Sequence, residues 1–248
     1  MNHRTNLLVA ASFAAALSFQ GCTTAQIQQG VGAVLGGTTA GQPVTEAEAG
    51  SGLREALQQG ISKGAAQASQ SDGYFKNPLI KLLFPPEALK VEQRLRQIGL
   101  GGECDKFILA LNRGAENAAT EAKPIFVQAI KDLTFADVWG ILTGQKNAAT
   151  NYLRRTTTNQ LVTKFKPHLT AAINQTNATR LYGDLVSKYN QIPLVTKVNP
   201  DLADYATTKA VDGLFTLVEQ EEANIRANPV ARTTELLRRV FAKQDGKG

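Results

Sequence analysis

Apolar residues recur with a helical period along almost the whole chain after residue 45. No stretch alternates apolar and polar residues consistently enough to predict a strand. Proline and glycine divide the pattern into segments of different length, which favours an irregular helical bundle over a long coiled coil. The predicted helices span residues 46–69, 78–84, 86–98, 103–122, 124–132, 135–143, 146–166, 168–176, 178–190, 200–227 and 229–242.

The clearest helix signal begins at Thr134. Thr134 and Asp137 have the spacing of a capping box, in which each side chain accepts a hydrogen bond from the other residue's backbone N–H. An apolar stripe at i, i+3, i+4 and i+7 follows, and Gly144 ends the helix. The stripe consists of Phe135, Val138, Trp139 and Leu142. We therefore predict that Trp139 lies in the core.

Proline supplies most of the predicted helix boundaries. Three Asn-Pro pairs, beginning at Asn77, Asn199 and Asn228, each offer an N-cap followed by proline in the first turn. Pro167 should interrupt or restart a helix, because proline removes a backbone donor. The first predicted helix contains four glycines, each of which lowers intrinsic helix stability, so this helix needs tertiary support.

The first residues have the pattern of a bacterial lipoprotein signal peptide. Arg4 precedes an apolar run from Leu7 to Phe19, and Gly21 stands directly before Cys22. We predict cleavage after residue 21, acylation of Cys22 and, because Thr23 rather than Asp follows the cysteine, retention at the outer membrane. The alternative is an ordinary signal peptide, which would release a soluble periplasmic protein.

Composition indicates a tether between this anchor and one helical domain. Residues 22–45 are rich in Gly, Thr, Gln and Ala and carry no charge, which is typical of a flexible linker. The helical domain is predicted over residues 46–242, and residues 243–248 are predicted to be a disordered tail. The net charge of +6 is spread through mixed-sign stretches. It indicates a solvated surface, and the periplasmic address excludes nucleic acid as a partner.

Glu221 is the most unusual polar position. The helical period places Glu221 on the apolar face of the 200–227 helix, where an unpaired carboxylate would be costly. Arg154 and Arg155 are its candidate partners. A buried ion pair that sets helix register is one interpretation. The other is a functional site, in which Glu221, Glu222, Arg154 and Arg155 would catalyse hydrolysis or group transfer.

Other reactive side chains are few. Cys104 lies in the first turn of a predicted helix, where a thiol can be activated, but it shares a face with core residues and we expect it to be buried. His168 is expected to help start a helix rather than to catalyse a reaction. Asn112 and Glu116 are expected to form a cap or a surface network. No metal-binding or cofactor-binding motif occurs, so no metal and no cofactor are predicted.

Eight short segments, in order and spacing, give the chain a family resemblance from about residue 50 to residue 242. It resembles the bacterial family catalogued as domain of unknown function 4197. The resemblance implies a single exported helical domain and supplies no mechanism. The segments are Asn112–Glu116, Glu121–Phe126, Leu133–Asp137, Ile141–Gly144, Asn151–Arg155, Phe165–Pro167, Asp212–Phe215 and Ala231–Thr234.

These features favour a non-enzymatic lipoprotein on the periplasmic face of the outer membrane. Its helical domain would bind a periplasmic protein or an apolar ligand such as a lipid, and its acyl anchor would make the membrane a partner. The alternative is a periplasmic hydrolase or transferase that uses carboxylates and arginines. A closed apolar cavity would favour lipid binding, and an open cleft with converging carboxylates and arginines would favour catalysis.

Overall fold

The structure is a computed structural model that describes residues 44–191, 193–194, 197–198 and 201–245. The signal peptide, Cys22, most of the tether and the Asn199-Pro200 start signal lie outside these residues. From Val44 onward the described chain forms one compact unit. It contains nine α-helices and no strand: α1 Glu46–Ser69, α2 Leu89–Gln97, α3 Gly101–Ala119, α4 Ala122–Lys131, α5 Phe135–Thr143, α6 Ala148–Asn174, α7 Asn177–Tyr189, α8 Leu202–Ala227 and α9 Glu235–Asp245.

Four of the helices, α1, α3, α6 and α8, form the centre of the bundle. Each packs against its neighbours in a closed ring, with α6 between α3 and α8 and with α1 between α8 and α3. The shorter helices cover this centre: α4 and α5 lie on α1 and α6, α7 lies on α3, and α9 lies on α1. The all-α, multi-helix prediction is confirmed.

The end of α8, the start of α6 and part of α1 lie together at one end of the bundle. Gly60 of α1 lies against Ile225 of α8, and Gly64 lies against Val218, so these two helices are antiparallel. Thr150, near the start of α6, contacts Glu222 near the end of α8. We call this the α5 end, because α5 also packs there against α1 and α6.

The glycines of α1 explain how that helix is supported. A Cβ on Gly52 would lie 2.7 Å from Cγ2 of Val240, and a Cβ on Gly64 would lie 3.4 Å from the backbone nitrogen of Val218. Glycine at these positions lets α9 and the backbone of α8 approach closely. The loss of intrinsic helix stability is therefore offset by packing. A capping box between Thr45 and Glu48 also holds the first turn.

The segment predicted as a helix over residues 78–84 is not helical. Asn77 Oδ1 accepts a hydrogen bond from the backbone N–H of Leu79, but the chain only turns there and then extends. Ile80, Leu82 and Phe84 are buried on alternate positions of this extended stretch. Its buried residues thus follow the strand period of two, in a run too short to show that period clearly in the sequence.

Pro167 does not interrupt its helix, which corrects the prediction of two separate helices there. Helix α6 continues from Ala148 to Asn174 with Pro167 inside it and exposed. A buried stripe of Leu161, Phe165, Leu169 and Ile173 passes this point without a break. Burial along the stripe offsets the one backbone hydrogen bond that proline removes.

Several further boundaries differ from prediction. Pro86–Ala88 and Pro229–Ala231 form 3₁₀ turns rather than the first turns of α-helices. Helix α9 begins at Glu235 and runs to Asp245, three residues past the predicted end.

A matched pair of glycine substitutions tests the close approach of α3 to α6. A Cβ on Gly114 would lie 2.8 Å from the Cβ of Ala172, so Gly114→Ala should lower the free energy of unfolding by about 1–3 kcal/mol through overpacking. Gly140→Ala is the control, because no atom lies within 4 Å of its would-be Cβ. It should raise the free energy of unfolding by about 0.5–1 kcal/mol. Equal effects in denaturant unfolding would contradict the packing argument.

Candidate functional site

The two arginines singled out from the sequence have separate partners. Arg154 Nη1 lies 2.7 Å from Asp212 Oδ1, and its guanidinium stands over the ring of Phe215 at 4.5 Å from the centroid. Arg155 Nη2 lies 3.9 Å from Asp137 Oδ1. Both arginine side chains are partly exposed, so each pair contributes little to stability.

Glu221 does not pair with either arginine, so that prediction is wrong. Its Oε2 lies 3.8 Å from Nζ of Lys63 on α1, beyond hydrogen-bond distance, and accepts no hydrogen bond within the described part of the chain. The side chain is at the edge of the contact between α8 and α1 rather than in the core. Helix α8 packs against α6 as well as α1, which widens its buried face and brings Glu222, rather than Glu221, to the start of α6.

Glu222 is the buried carboxylate. Its Oε1 accepts a hydrogen bond from the backbone N–H of Ala149 at 3.0 Å, and its Oε2 accepts from the N–H and the hydroxyl of Thr150 at 2.8 and 2.7 Å. These N–H groups open helix α6, and the side chain of its own N-cap residue, Asn147, makes no capping bond. Glu222 therefore caps α6 from α8, where the positive end of the helix dipole favours a carboxylate.

Two arginines complete this network. Arg226 binds Oε1 of Glu222 through Nε and Nη2 at 2.9 and 2.8 Å, and Nη2 also donates to the carbonyl of Ile141 at the end of α5. Arg232 is fully buried and donates to the carbonyls of Ile225 and Arg226, which end helix α8. Both guanidinium groups thus donate hydrogen bonds to helix carbonyls. The hydrophobic periodicity of the sequence did not indicate this role.

Asn112 and Glu116 are buried, so the prediction of a surface network is wrong. The side-chain amide of Asn112 accepts from the N–H of Leu82 and donates to its carbonyl, both at 2.9 Å. Glu116 Oε1 accepts from the N–H groups of Tyr74 and Phe75. Asn112 thus satisfies the backbone of the extended stretch at Leu82, and Glu116 satisfies two backbone N–H groups of the preceding turn. The two side chains hold the segment from Tyr74 to Leu82 on α3.

Cys104 and His168 have no catalytic setting. Cys104 is fully buried, as predicted, and burial raises the pKa of its thiol. His168 lies inside α6 rather than at a helix start, and it lines a surface groove of about 380 Å³ with Lys106, Leu109 and Arg113. Among the residues the structure describes, no three His, Cys, Asp or Glu side chains are grouped to hold a metal ion.

A cavity at the α5 end is too small for an organic ligand. It has a volume of about 20 Å³, which is room for about one water molecule. Its lining is mainly apolar and includes Leu57, Ile61 and Ile225, with Glu222 and Arg226 at one side. An acyl chain cannot enter this space as it stands.

The solvent side of α5 carries two large exposed rings. Phe135 and Trp139 are 51% and 53% exposed, and their ring centroids lie 6.4 Å apart in a stacked arrangement. The capping box between Thr134 and Asp137 is confirmed, but the prediction of Trp139 in the core is wrong. The helix buries Val138 and Ile141 instead, because α1 and α6 cover only that side of a nine-residue helix.

In the part of the chain that the structure describes, no helix is long and apolar enough to cross a membrane. The sites described above are the polar network around Glu222, the groove beside His168, which we call the basic groove because Lys106 and Arg113 line it, and the exposed aromatic pair.

The Glu222–Arg226 pair should be strongly coupled. Glu222→Ala leaves the guanidinium of Arg226 buried without its carboxylate, and we expect a loss of about 3–5 kcal/mol in the free energy of unfolding. Arg226→Met should cost a similar amount, and the double variant should lose much less than the sum, because both changes break one contact. The exposed pair Arg154–Asp212 is the control, with a coupling of about 1 kcal/mol or less. Additive effects at Glu222 and Arg226 in denaturant unfolding would contradict this assignment.

Comparison with known proteins bears on the whole domain. No curated protein and no solved structure shows significant similarity to the chain. The family described as "Protein of unknown function (DUF4197)" matches residues 43–242, which include all nine described helices except the last turn of α9. This span is most of the chain and agrees with the resemblance in the eight sequence segments. The protein is therefore a member of the DUF4197 family.

Proposed function

We propose that this protein is a non-enzymatic lipoprotein of the outer membrane that faces the periplasm and works by binding. Its anchor is acylated Cys22, and its binding surface is the exposed side of α5. The observation that carries the binding role is the stacked pair of Phe135 and Trp139, two large rings that are about half exposed. Aromatic rings in this position are typical anchor residues of binding surfaces.

The interior of the bundle supports surface binding over internal binding. The cavity at the α5 end holds about 20 Å³, whereas pockets for small organic ligands are typically about 300–1,000 Å³. A lipid or other apolar ligand would therefore bind on the outside of the helices.

The polar side chains support binding over catalysis. A carboxylate–arginine enzyme needs its groups to converge on one open cleft. Here Arg154 pairs with Asp212, Arg155 faces Asp137, and Glu222 is occupied by a helix terminus and Arg226. Glu221 faces α1. The four residues proposed for catalysis thus act in separate structural contacts.

The anchor is supported by the sequence alone. Arg4, the apolar run that ends at Phe19 and the Gly21-Cys22 pair form the signal, and Thr23 favours the outer membrane. Once Cys22 is acylated, Cys104 is the only thiol, so no internal disulfide can form even in the oxidising periplasm.

Replacing the acylated residue tests the anchor. Wild-type protein should fractionate with the outer membrane, and Cys22→Ser should lose that association because it cannot carry the acyl chains. The measurement is the distribution of the protein between outer-membrane and soluble periplasmic fractions. Cys104→Ser is the matched control and should leave the distribution unchanged, since Cys104 is buried in the domain. Unchanged membrane association of Cys22→Ser would overturn the anchor.

Truncating the aromatic pair tests the binding surface. Phe135→Ala and Trp139→Ala should each lower the free energy of unfolding by about 1 kcal/mol or less, because the rings are half exposed. A photoreactive phenylalanine analogue at position 139 should form covalent adducts in intact cells. The same analogue at Leu109, an exposed residue of the basic groove, is the control and should not. A loss of about 3–5 kcal/mol for Trp139→Ala would show a core residue instead.

A further inference from the structure

The outward side of α5 is free of charge over its whole length. The exposed residues of the helix are Phe135, Ala136, Trp139, Gly140 and Thr143. Solvent-facing sides of helices usually carry charged or strongly polar side chains. A nine-residue helix with two exposed rings and no exposed charge on this face is therefore suited to contact with something apolar.

The polar groups of this face are already satisfied within the helix. Thr143 donates its hydroxyl to the carbonyl of Trp139 at 2.8 Å. At the other end, the Thr134 hydroxyl and N–H both donate to Asp137, and these bonds lower the pKa of the Asp137 carboxyl. Removing water from this face leaves few hydrogen bonds unmade, which lowers the cost of covering it.

Cationic side chains border the face. Lys131 precedes α5, Lys146 follows it, and Arg155 stands beside it with a side chain that is 70% exposed. Asp132, Asp137 and Glu219 are carboxylates of the same region. Arg155 lies 3.9 Å from Asp137, and Glu219 accepts a hydrogen bond from the side chain of Asn147. Aromatic rings with lysine and arginine at their margin are the combination that favours the boundary between lipid headgroups and acyl chains.

Helix α1, which follows the predicted tether in the sequence, passes beside the start of α5. Arg54 of α1 donates to the carbonyl of Leu133, directly before α5, at 2.8 Å. From Arg54 back to Thr45 the helix covers about 13 Å. Residues 23–43 then lead to Cys22, and a linker of this composition spans about 25–30 Å. The α5 end is thus the end of the domain from which the tether leaves.

We infer that the Phe135–Trp139 face of α5 rests on the headgroup interface of the membrane that holds the acyl chains of Cys22. This inference rests on the proposed anchor and names the occupant of the proposed binding surface. A protein partner would need no relation between the aromatic face and the tether. A membrane contact is favoured when both lie at the same end, because the face then meets the bilayer without the linker having to extend along the bundle. The groove lined by His168 would then face away from the membrane, since His168 follows Ala149 by about 28 Å along α6.

The chain contains a single tryptophan, and it lies in this face. The acylated full-length protein is reconstituted into vesicles of phosphatidylethanolamine and phosphatidylglycerol, with and without lipids brominated near the headgroup end of the acyl chains. We expect Trp139 emission to shift to shorter wavelength on reconstitution and to lose intensity with the brominated lipids. Phe135→Asp should reverse both changes while the protein stays on the vesicles.

A moved tryptophan is the matched control. In the double variant Trp139→Phe and Leu109→Trp, the only indole stands on α3, in the basic groove that α3 forms with the second half of α6. Its emission should be insensitive to the brominated lipids in the same vesicles.

The outcomes separate the inference from the anchor. Protein that floats with the vesicles while Trp139 stays unquenched by brominated lipid and open to acrylamide overturns the membrane contact and leaves the anchor standing. Equal quenching at positions 109 and 139 overturns the orientation of the domain. Protein that does not float overturns the anchor and the membrane contact with it. Adducts of position 139 with a protein, together with unquenched emission, would assign the face to a protein partner.

Discussion

The carboxylate of Glu222 is the interaction on which the α5 end of the bundle depends. It is buried, and it accepts hydrogen bonds from the first N–H groups of α6 while it binds Arg226 of its own helix. Arg226 in turn donates to the last turns of α5 through Ile141. A single charge pair therefore joins the end of α8, the start of α6 and the end of α5. Because a buried charge is costly without partners, these three elements are stable only together.

The rest of the bundle relies on close packing and on backbone groups that side chains satisfy. Glycines in α1 and at Gly114 let helices approach to distances that a Cβ would prevent. Asn112 and Glu116 hydrogen-bond the backbone of the segment from Tyr74 to Leu82, which packs on α3. Several segments that carry the family resemblance thus contain residues that stabilise the fold. This explains why the resemblance indicates the fold clearly and indicates no chemistry.

Some large side chains of the domain contribute little to the stability of the fold. Charged side chains near the centre of the bundle are occupied in helix caps or in separate ion pairs. The exposed rings of Phe135 and Trp139 have no such internal role, and truncating them is expected to cost little stability. A surface that stabilises the fold weakly, carries no charge and lies where the tether leaves is the part of this domain that a partner can cover.

Local sequence signals determined much of this protein. The helical period, the capping box at Thr134 and the helix bounds of α1 and α5 follow from side-chain chemistry within a few residues, and the structure agrees with them. Tertiary packing decided the rest. Pro167 stays inside α6 because a continuous stripe is buried. The extended stretch after the turn at residues 78–80 is held on α3 by the hydrogen bonds between Asn112 and Leu82. Periodicity defines one side of a helix but not how much of that side its neighbours cover. That is why Trp139 is exposed and why Glu222, rather than Glu221, is the buried carboxylate.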